Sequence, residues 1–293
     1  MSQTVNHQLA ATEYTFDIGG DLPVNRLGFG AMRITGKGIW GEPKDVAEAK
    51  RVLQRVVSLG TNFIDTADAY GPEVSERLIS EALHPYAPGL VIATKGGLTR
   101  QGPERWTPVG RPEYLKQCIE MSLRRLRLER IDLYQLHRID PKVPFEEQMG
   151  VFKEAQEQGR IRHFGLSEVK VAEIQRAGSI LPVVSVQNRY NIADRQHEDV
   201  LNHCEQNRIA FIPWSPVAAG DLARPGGPLD KAAKNHHATV AQLSLAWLLH
   251  RSPVILPIPG TSSVAHAEEN IRAASLKLTP DDWREIEGSV GKK

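Results

Sequence analysis

The sequence has little cysteine and no long apolar segment. Cys118 and Cys204 are the only cysteines in 293 residues, and they lie far apart in no metal-ligand spacing, so we expect no metal site. Both fall among apolar positions at helical spacing, which predicts buried free thiols. No apolar run reaches the roughly 20 residues that a transmembrane helix needs, so we expect no membrane partner.

Neither sign of charge is in excess. Lys and Arg total 36 against 35 for Asp and Glu, a formal net charge of +1, which gives no electrostatic reason to expect nucleic acid or an anionic membrane as a partner. The first residues, MSQTVNHQLAATEY, lack a basic start followed by an apolar run. We therefore expect no secretion signal and a cytoplasmic protein.

Eight short apolar runs alternate with amphipathic stretches from about residue 24 to about residue 275. The runs predict buried parallel strands, and a stretch such as Val46 to Val57, which stops before Gly60, predicts a helix. No composition break or linker interrupts the alternation, which favours one α/β domain over residues 1–293, a (β/α)8 TIM barrel. The predicted strands are Leu27–Gly30, Asn62–Ile64, Val91–Ala93, Asp132–Leu136, Ile161–Gly165, Val184–Gln187, Ile209–Pro213 and Val254–Pro257.

Periodicity alone also allows an open doubly wound sheet. The glycine pattern weighs against that alternative, because Gly30 is followed by Met32 and Arg33 and not by a glycine that opens a helix. Ahead of the barrel, Tyr14–Phe16 and Leu22–Val24 flank a pair of glycines, which predicts an N-terminal β-hairpin that plugs the barrel bottom. Two long loops, Gly96–Arg111 and Trp214–Leu229, follow the third and seventh strands, where barrel loops are usually functional.

Four polar side chains lie at or just after the ends of consecutive predicted strands, where barrel enzymes place catalytic groups. They are Asp65, Tyr70, Lys95 and His137. Taken singly, Asp65 with Lys95 is explained by a buried ion pair, Tyr70 by a turn anchor and His137 by a core histidine. Packing does not explain all four together, because a polar group at the end of an apolar strand is costly unless it is paired.

These four residues suit the reduction of a carbonyl group, which needs a hydride and a proton. A tyrosine hydroxyl has an unperturbed pKa of about 10, and a neighbouring ammonium such as Lys95 favours the phenolate and eases proton transfer. Asp65 would keep Lys95 charged, and His137 would hydrogen-bond the substrate oxygen. A Schiff-base lyase or aldolase that uses Lys95 is the alternative enzyme.

The chain resembles the aldo-keto reductases from the first strand to the last helix. The segments that carry the resemblance, in order, are LGFGAM, NFIDTADAYG, ATKGG, LYQLHR, FGLSEV, VQNRYN, IPWSPVAAG and IPGTSS…EEN. The resemblance implies that Asp65, Tyr70, Lys95 and His137 form a catalytic tetrad with Tyr70 as general acid and base. The function it implies is NADPH-dependent reduction of aldehydes or ketones to alcohols by hydride transfer.

The resemblance also implies where a nicotinamide dinucleotide binds. Ser167 and Gln187 would hold the carboxamide, and Glu168 stands where the family usually has Asn. Trp214 would stack on the nicotinamide, or it is a core tryptophan under a loop. The other implied cofactor residues are Gly30, Met32, Asp65, Ser215, Pro216, Gly220, Leu222, Ile258, Pro259, Gly260, Thr261, Ser262, Ser263, His266, Glu269 and Asn270.

The adenosine end departs from the family pattern. Many relatives carry a Lys and an Arg that face the 2′-phosphate, and this chain has Gly260 and His266 in those places. Ser262, Ser263 and the start of the following helix still offer phosphate ligands. We therefore favour NADPH over NADH.

The substrate-binding residues predicted from the sequence are Tyr70, His137, Trp40 and Trp106. The two tryptophans would be aromatic pocket walls, or they are loop anchors. The chain ends at Lys293, so we expect a short or missing C-terminal loop and an open pocket that accepts several small carbonyl compounds. A non-enzymatic alternative is an NADPH-binding redox sensor or regulatory subunit with little turnover. We expect a monomer or a weak homo-oligomer.

Overall fold

The computed structural model describes residues 14–217 and 225–290. Seven parallel strands form one sheet, and they are β3 (Phe29–Gly30), β4 (Phe63–Asp65), β5 (Val91–Gly96), β8 (Ile131–Leu136), β9 (Ile161–Ser167), β10 (Val183–Gln187) and β11 (Ala210–Phe211). Their order in the sheet is β11-β10-β9-β8-β5-β4-β3, so strands that follow one another along the chain are neighbours in the sheet, as in a barrel.

The eighth predicted strand closes the barrel without forming a regular ladder. Ile255 makes a parallel bridge with Phe211 of β11. On the other side, Gly28 N donates to Pro257 O at 2.9 Å and Gly30 N donates to Pro259 O at 3.3 Å. The chain from 254 to 259 therefore lies between the two edge strands, and its prolines explain why few ladder bonds form there.

Helices cover the outside of the sheet. The helix predicted from Val46 begins after Asp45, whose carboxylate accepts from Glu48 N as an N-cap does. The α-helices of the described residues are α1 (Val46–Ser58), α2 (Val74–Leu83), α3 (Pro112–Leu126), α4 (Phe145–Glu157), α5 (Val171–Gly178), α6 (Glu198–Asn207), α7 (Pro228–Asn235), α8 (Val240–Arg251), α9 (Val264–Arg272) and α10 (Pro280–Val290). No helix in the described ranges is long and apolar enough to cross a membrane.

The predicted hairpin is present as β1 (Thr15–Ile18) and β2 (Leu22–Asn25), which pair antiparallel. Its inward side chains, Ile18, Leu22 and Val24, pack with apolar residues of the barrel interior such as Phe63 and Leu133. The hairpin therefore fills one end of the barrel and leaves the opposite end for the site. Both cysteines are buried free thiols, as predicted.

The segment after β5 differs from its prediction as a plain loop. It contains a short antiparallel hairpin, β6 (Leu98–Arg100) paired with β7 (Trp106–Pro108). The second long loop is described only up to residue 217 and from 225 onward, so Gly220 and Leu222 lie outside the described residues.

Candidate active site

The four predicted catalytic side chains meet at one end of the barrel. Asp65 is the last residue of β4, Lys95 lies near the end of β5, and His137 follows β8 directly. Parallel pairing brings these ends together, with Ile64 and Asp65 beside Ile92 and Ala93. Their meeting follows from the barrel topology, because parallel strands end at the same rim.

Lys95 is the centre of the group. Its Nζ lies 2.6 Å from Asp65 Oδ1, 2.8 Å from the backbone oxygen of Thr66 and 3.3 Å from the Tyr70 hydroxyl. Burial alone would lower the pKa of Lys95, but the attraction of Asp65 and Tyr70 outweighs it, so the pKa is raised. Lys95 is therefore a charged ammonium that points at the phenolic oxygen.

Two amides complete the surroundings of Asp65. Gln135 Nε2 and Gln187 Nε2 both donate to Asp65 Oδ2, at 3.1 Å and 2.9 Å. With Lys95 on Oδ1, three side chains donate to this buried carboxylate. Both oxygens of Asp65 are therefore hydrogen-bonded, and the carboxylate is fixed in place against Lys95.

Tyr70 lies at the wall of the site with its hydroxyl against Lys95. Burial raises the pKa of Tyr70, and the ammonium of Lys95 is the largest effect that lowers it. Lys95 therefore lowers the pKa of Tyr70, as predicted, but burial raises that pKa by more. The phenol is protonated before reaction, which suits a proton donor. Its ring packs edge-on against His137 and Trp106, with centroids 5.7 Å and 6.3 Å away.

His137 is a neutral imidazole. Burial, and then the positive charges of Lys95, Arg138 and Arg100, hold its pKa well below the usual value. Its Nδ1 is buried without a hydrogen-bond partner among the described residues. His137 lines the cavity described next, so its ring is in reach of a molecule that binds there.

A cavity of about 780 Å³ opens above these residues, within the range of small-molecule and cofactor sites. It extends from Tyr70 and His137 to Gly260 and Asn270. Fifteen of the residues predicted from the sequence line it, namely Gly30, Met32, Asp65, Tyr70, Trp106, His137, Ser167, Gln187, Trp214, Ser215, Pro216, Ile258, Pro259, Gly260 and Asn270. Lys95 is fully buried beneath the cavity.

The other predicted residues lie elsewhere. Thr261 and Ser262 border an adjoining cavity of about 490 Å³ together with Arg33 and Lys37. The remaining three, Ser263, His266 and Glu269, line neither cavity. Trp40 does not line the main cavity; it is 38% exposed and lies 5.7 Å from the guanidinium carbon of Arg100, which is the arrangement of a loop anchor.

The start of α9, next to these residues, is partly occupied by the protein itself. Glu48 Oε1 accepts from Val264 N at 3.1 Å, and Thr261 Oγ1 accepts from Ser263 N at 3.1 Å. A phosphate at this helix start would therefore lie beside a carboxylate. This contact could not be predicted from local sequence, because Glu48 and Val264 are more than two hundred residues apart along the chain.

Glu168, the departure from the family pattern, has a defined place. Its Oε1 accepts from Trp214 Nε1 at 2.5 Å and from Arg189 N at 2.8 Å. Its backbone has a φ of +57°, a left-handed conformation that asparagine adopts more readily than glutamate. Glu168 therefore fixes the indole of Trp214 at the cavity wall.

Sequence reasoning missed two arginines at the site. Arg138 lines the cavity directly after His137. Arg100 donates to the backbone oxygens of Gly38, Ile39, Ala69, Gly102 and Arg105, and its guanidinium carbon lies 3.6 Å from the ring centroid of Trp106. Arg100 thus ties together the loops that form the cavity wall. Adjacency to His137 was the one available signal for Arg138.

The cavity fits a nicotinamide dinucleotide. Ser167 and Gln187 offer a hydroxyl and an amide beside Arg138 and Asp65, and Trp214 offers an aromatic ring in the lining of the same cavity. Ser215 and Gly260 also line the cavity, and small residues of this kind let a phosphate approach the backbone. The residues present would therefore hold the carboxamide at the inner end and the phosphates toward Gly260.

Comparison with known proteins agrees with this geometry. The model of the aldo/keto reductase family matches residues 26–290. An uncharacterized oxidoreductase of Schizosaccharomyces pombe is 54% identical over 268 residues, covering 92% of this chain and 87% of that protein. Pyridoxine 4-dehydrogenase of Escherichia coli is 40% identical over 280 residues, covering 94% and 97%.

A solved structure shares the fold. The holo form of an aldo-keto reductase from Bacillus halodurans superposes with a TM-score of 0.80 at 29% identity, covering 95% of this chain and 96% of that one. A family match over nearly the whole chain, a barrel fold and a relative at 54% identity lead to the same conclusion. The chain belongs to the aldo/keto reductase family, and it is an oxidoreductase.

Proposed function

We propose that the protein reduces a small aldehyde or ketone to the alcohol with NADPH, and that Tyr70 is the proton donor. The observation that carries the proposal is the contact of Tyr70 with Lys95. The phenolic oxygen lies 3.3 Å from a buried ammonium, and Tyr70 and His137 both line the cavity.

Each residue has one task in this reaction. Bound NADPH supplies the hydride that reaches the carbonyl carbon. Tyr70 transfers its phenolic proton to the carbonyl oxygen, and the ammonium of Lys95 stabilises the phenolate that remains until solvent reprotonates it. Asp65 keeps Lys95 charged and in place. Neutral His137 donates a hydrogen bond to the carbonyl oxygen and so fixes the substrate.

Ser167, Gln187 and Trp214 are the residues that would hold the nicotinamide. Gln187 Nε2 donates to Asp65, which leaves its amide oxygen as an acceptor for the carboxamide N–H₂ group. The aromatic walls Trp106 and Trp214 support an aromatic substrate. The relative named pyridoxine 4-dehydrogenase supports the same class, so pyridoxal belongs in the test.

The test is the loss of NADPH absorbance in the presence of benzaldehyde, a nitrobenzaldehyde or pyridoxal, run beside NADH. We expect turnover with NADPH and weaker turnover with NADH. Turnover mainly with NADH would support the proposed reaction but show that the cofactor is NADH. Tight NADPH binding with no turnover on any aldehyde would point to a redox sensor or regulatory subunit.

The variant Tyr70→Phe tests the proton donor. We expect kcat to fall by about 10²–10⁴-fold, the usual contribution of a positioned acid, with the Kd for NADPH nearly unchanged. Tyr86→Phe is the matched control, because its hydroxyl donates to Leu126 O and does not line the cavity. Activity retained by Tyr70→Phe would contradict the assignment.

A further inference from the structure

Arg138 brings a guanidinium into the cavity beside the catalytic histidine. Its Nη1 donates to His137 O at 2.6 Å and to Ser167 Oγ at 2.9 Å. An arginine has five N–H donors, and these two bonds use one nitrogen. Nε and Nη2 make no hydrogen bond within residues 14–217 and 225–290, nor does any carboxylate in those ranges form an ion pair with Arg138.

Among the described residues, Arg138 has no carboxylate partner in the cavity. Asp65 is the one carboxylate among the described residues that line the cavity, and it is paired with Lys95. Glu168 is near enough to favour the charged form of Arg138, but its Oε1 is bonded to Trp214 and Arg189 and it forms no ion pair with Arg138. Among the described residues the guanidinium therefore has no carboxylate in direct contact, and a half-buried charge is costly unless it is paired.

The cofactor does not supply the missing charge. The nicotinamide carboxamide, expected at Ser167, is neutral, and the phosphates are expected toward Gly260 at the opposite end of the cavity. The group that pairs with Arg138 must therefore come from the substrate. Nε and Nη2 of a guanidinium form a planar fork that matches a carboxylate with two parallel hydrogen bonds.

We propose that Arg138 binds a carboxylate of the substrate, and that the enzyme prefers aldehydes and ketones that carry a carboxylate close to the carbonyl group. This inference rests on the proposed function. The carbonyl oxygen lies between Tyr70 and His137, and the carboxylate lies on the neighbouring Arg138. Arg138 is a specificity-determining residue that takes no part in proton transfer.

The experiment compares matched pairs of substrates that differ only in charge. The pairs are meta- and para-formylbenzoate with their methyl esters, measured as kcat/KM with saturating NADPH. For the wild type we expect the better formylbenzoate to exceed its ester. Arg138→Gln should lower kcat/KM for that carboxylate by about 10- to 100-fold, the range for hydrogen bonds to charged groups, and change the ester by less than about threefold.

Two further variants separate charge from geometry. Arg138→Lys keeps the charge without the planar fork, so part of the preference should return. Arg33→Gln removes the same charge from the cavity rim and should leave the ratio of carboxylate to ester unchanged. If Arg33→Gln and Arg138→Gln lose the preference for the carboxylate equally, the proposal is overturned. The preference would then come from the summed positive charge around the cavity and not from a contact with Arg138.

The readouts also separate this inference from the proposed function. If Arg138→Gln raises the KM for NADPH and lowers carboxylate and ester equally, Arg138 acts through Ser167 on the cofactor and the inference is overturned. If no aldehyde is turned over, the proposed function fails. In that case, calorimetry measures the binding of para-hydroxymethylbenzoate to the NADP⁺ complex of the wild type and of Arg138→Gln. Binding that is lost in Arg138→Gln supports the carboxylate site at Arg138, and equal binding to both proteins overturns it.

Discussion

The ammonium of Lys95 lies 2.6 Å from the carboxylate of Asp65, and the two side chains are 0% and 2% exposed. A pair so deeply buried stabilises the fold little in net terms, because both charges were taken out of water. Removing one partner destabilises the fold strongly, because the other charge is then left buried and unpaired. Lys95 and Asp65 should therefore behave as a unit.

A double-mutant cycle tests this coupling. Asp65→Asn and Lys95→Met should each lower the free energy of unfolding by about 3–5 kcal/mol, and the double variant by clearly less than the sum. Unfolding in urea measures all four proteins. The exposed pair Arg111 and Glu113 is the control, where each loss should stay below about 1 kcal/mol. Additive effects at Asp65 and Lys95 would show that they are not coupled.

Glu168 holds Trp214 by an indole hydrogen bond of 2.5 Å, and this contact gives a second prediction. Glu168→Ala frees the ring that would stack on the nicotinamide, so the Kd for NADPH should rise by about 3- to 10-fold, which corresponds to about 0.7–1.4 kcal/mol, the net contribution of a typical hydrogen bond. Glu168→Gln keeps an acceptor oxygen and should stay close to the wild type. Quenching of tryptophan fluorescence by NADPH measures both, and an unaffected Glu168→Ala would remove Glu168 from cofactor binding.

The residues at strand ends could be predicted because an apolar run indicates a buried strand. The barrel topology then places the carboxyl end of each strand at the same rim. That is why Asp65, Lys95 and His137 were placed correctly from the sequence. The partners of loop residues could not be predicted in the same way. Glu168 is bonded to Trp214, and Arg138 to Ser167, and only the folded chain brings those residues together.

The same distinction explains two differences in the fold. The pairing of β6 with β7 has no clear alternation of apolar and polar residues, so that segment looked like a loop. The last strand, Val254–Pro257, was predicted from its apolar residues, but Pro257 lacks the N–H that a regular ladder needs. In both places the local sequence pattern predicts one secondary structure, and the hydrogen bonds between separate segments form another.

Glu48 gives a prediction about cofactor choice. Its Oε1 accepts from Val264 N, and this bond lowers the pKa of the carboxyl, so Glu48 is an anion at the start of α9. If the 2′-phosphate of NADPH binds here, Glu48→Gln should raise the ratio of kcat/KM for NADPH to that for NADH by about two- to fivefold, because a like charge is removed. Glu268→Gln is the control, since Glu268 pairs with Arg55. An unchanged ratio would place the phosphate elsewhere.

Asp68 makes the stability depend on pH. Its Oδ1 is buried without a partner among the described residues. Burial, and then repulsion by Glu76, raise the pKa of Asp68 to about 7, against the opposing effects of Cys118 and Arg125. A carboxyl whose pKa is raised on folding favours the folded state fully below its unfolded pKa of about 4. That stabilisation is lost as the pH rises through about 7.

Asp68→Asn removes this titration, because an amide stays neutral. Relative to the variant, the wild type should lose about 2 kcal/mol of unfolding free energy between about pH 5.5 and pH 8.5. Urea unfolding of both proteins at the two pH values measures the difference and cancels the other titrating groups. Glu157→Gln is the control for replacing a carboxylate by an amide at an exposed position. An equal difference between Asp68→Asn and wild type at both pH values would mean that Asp68 is already ionised at the lower one.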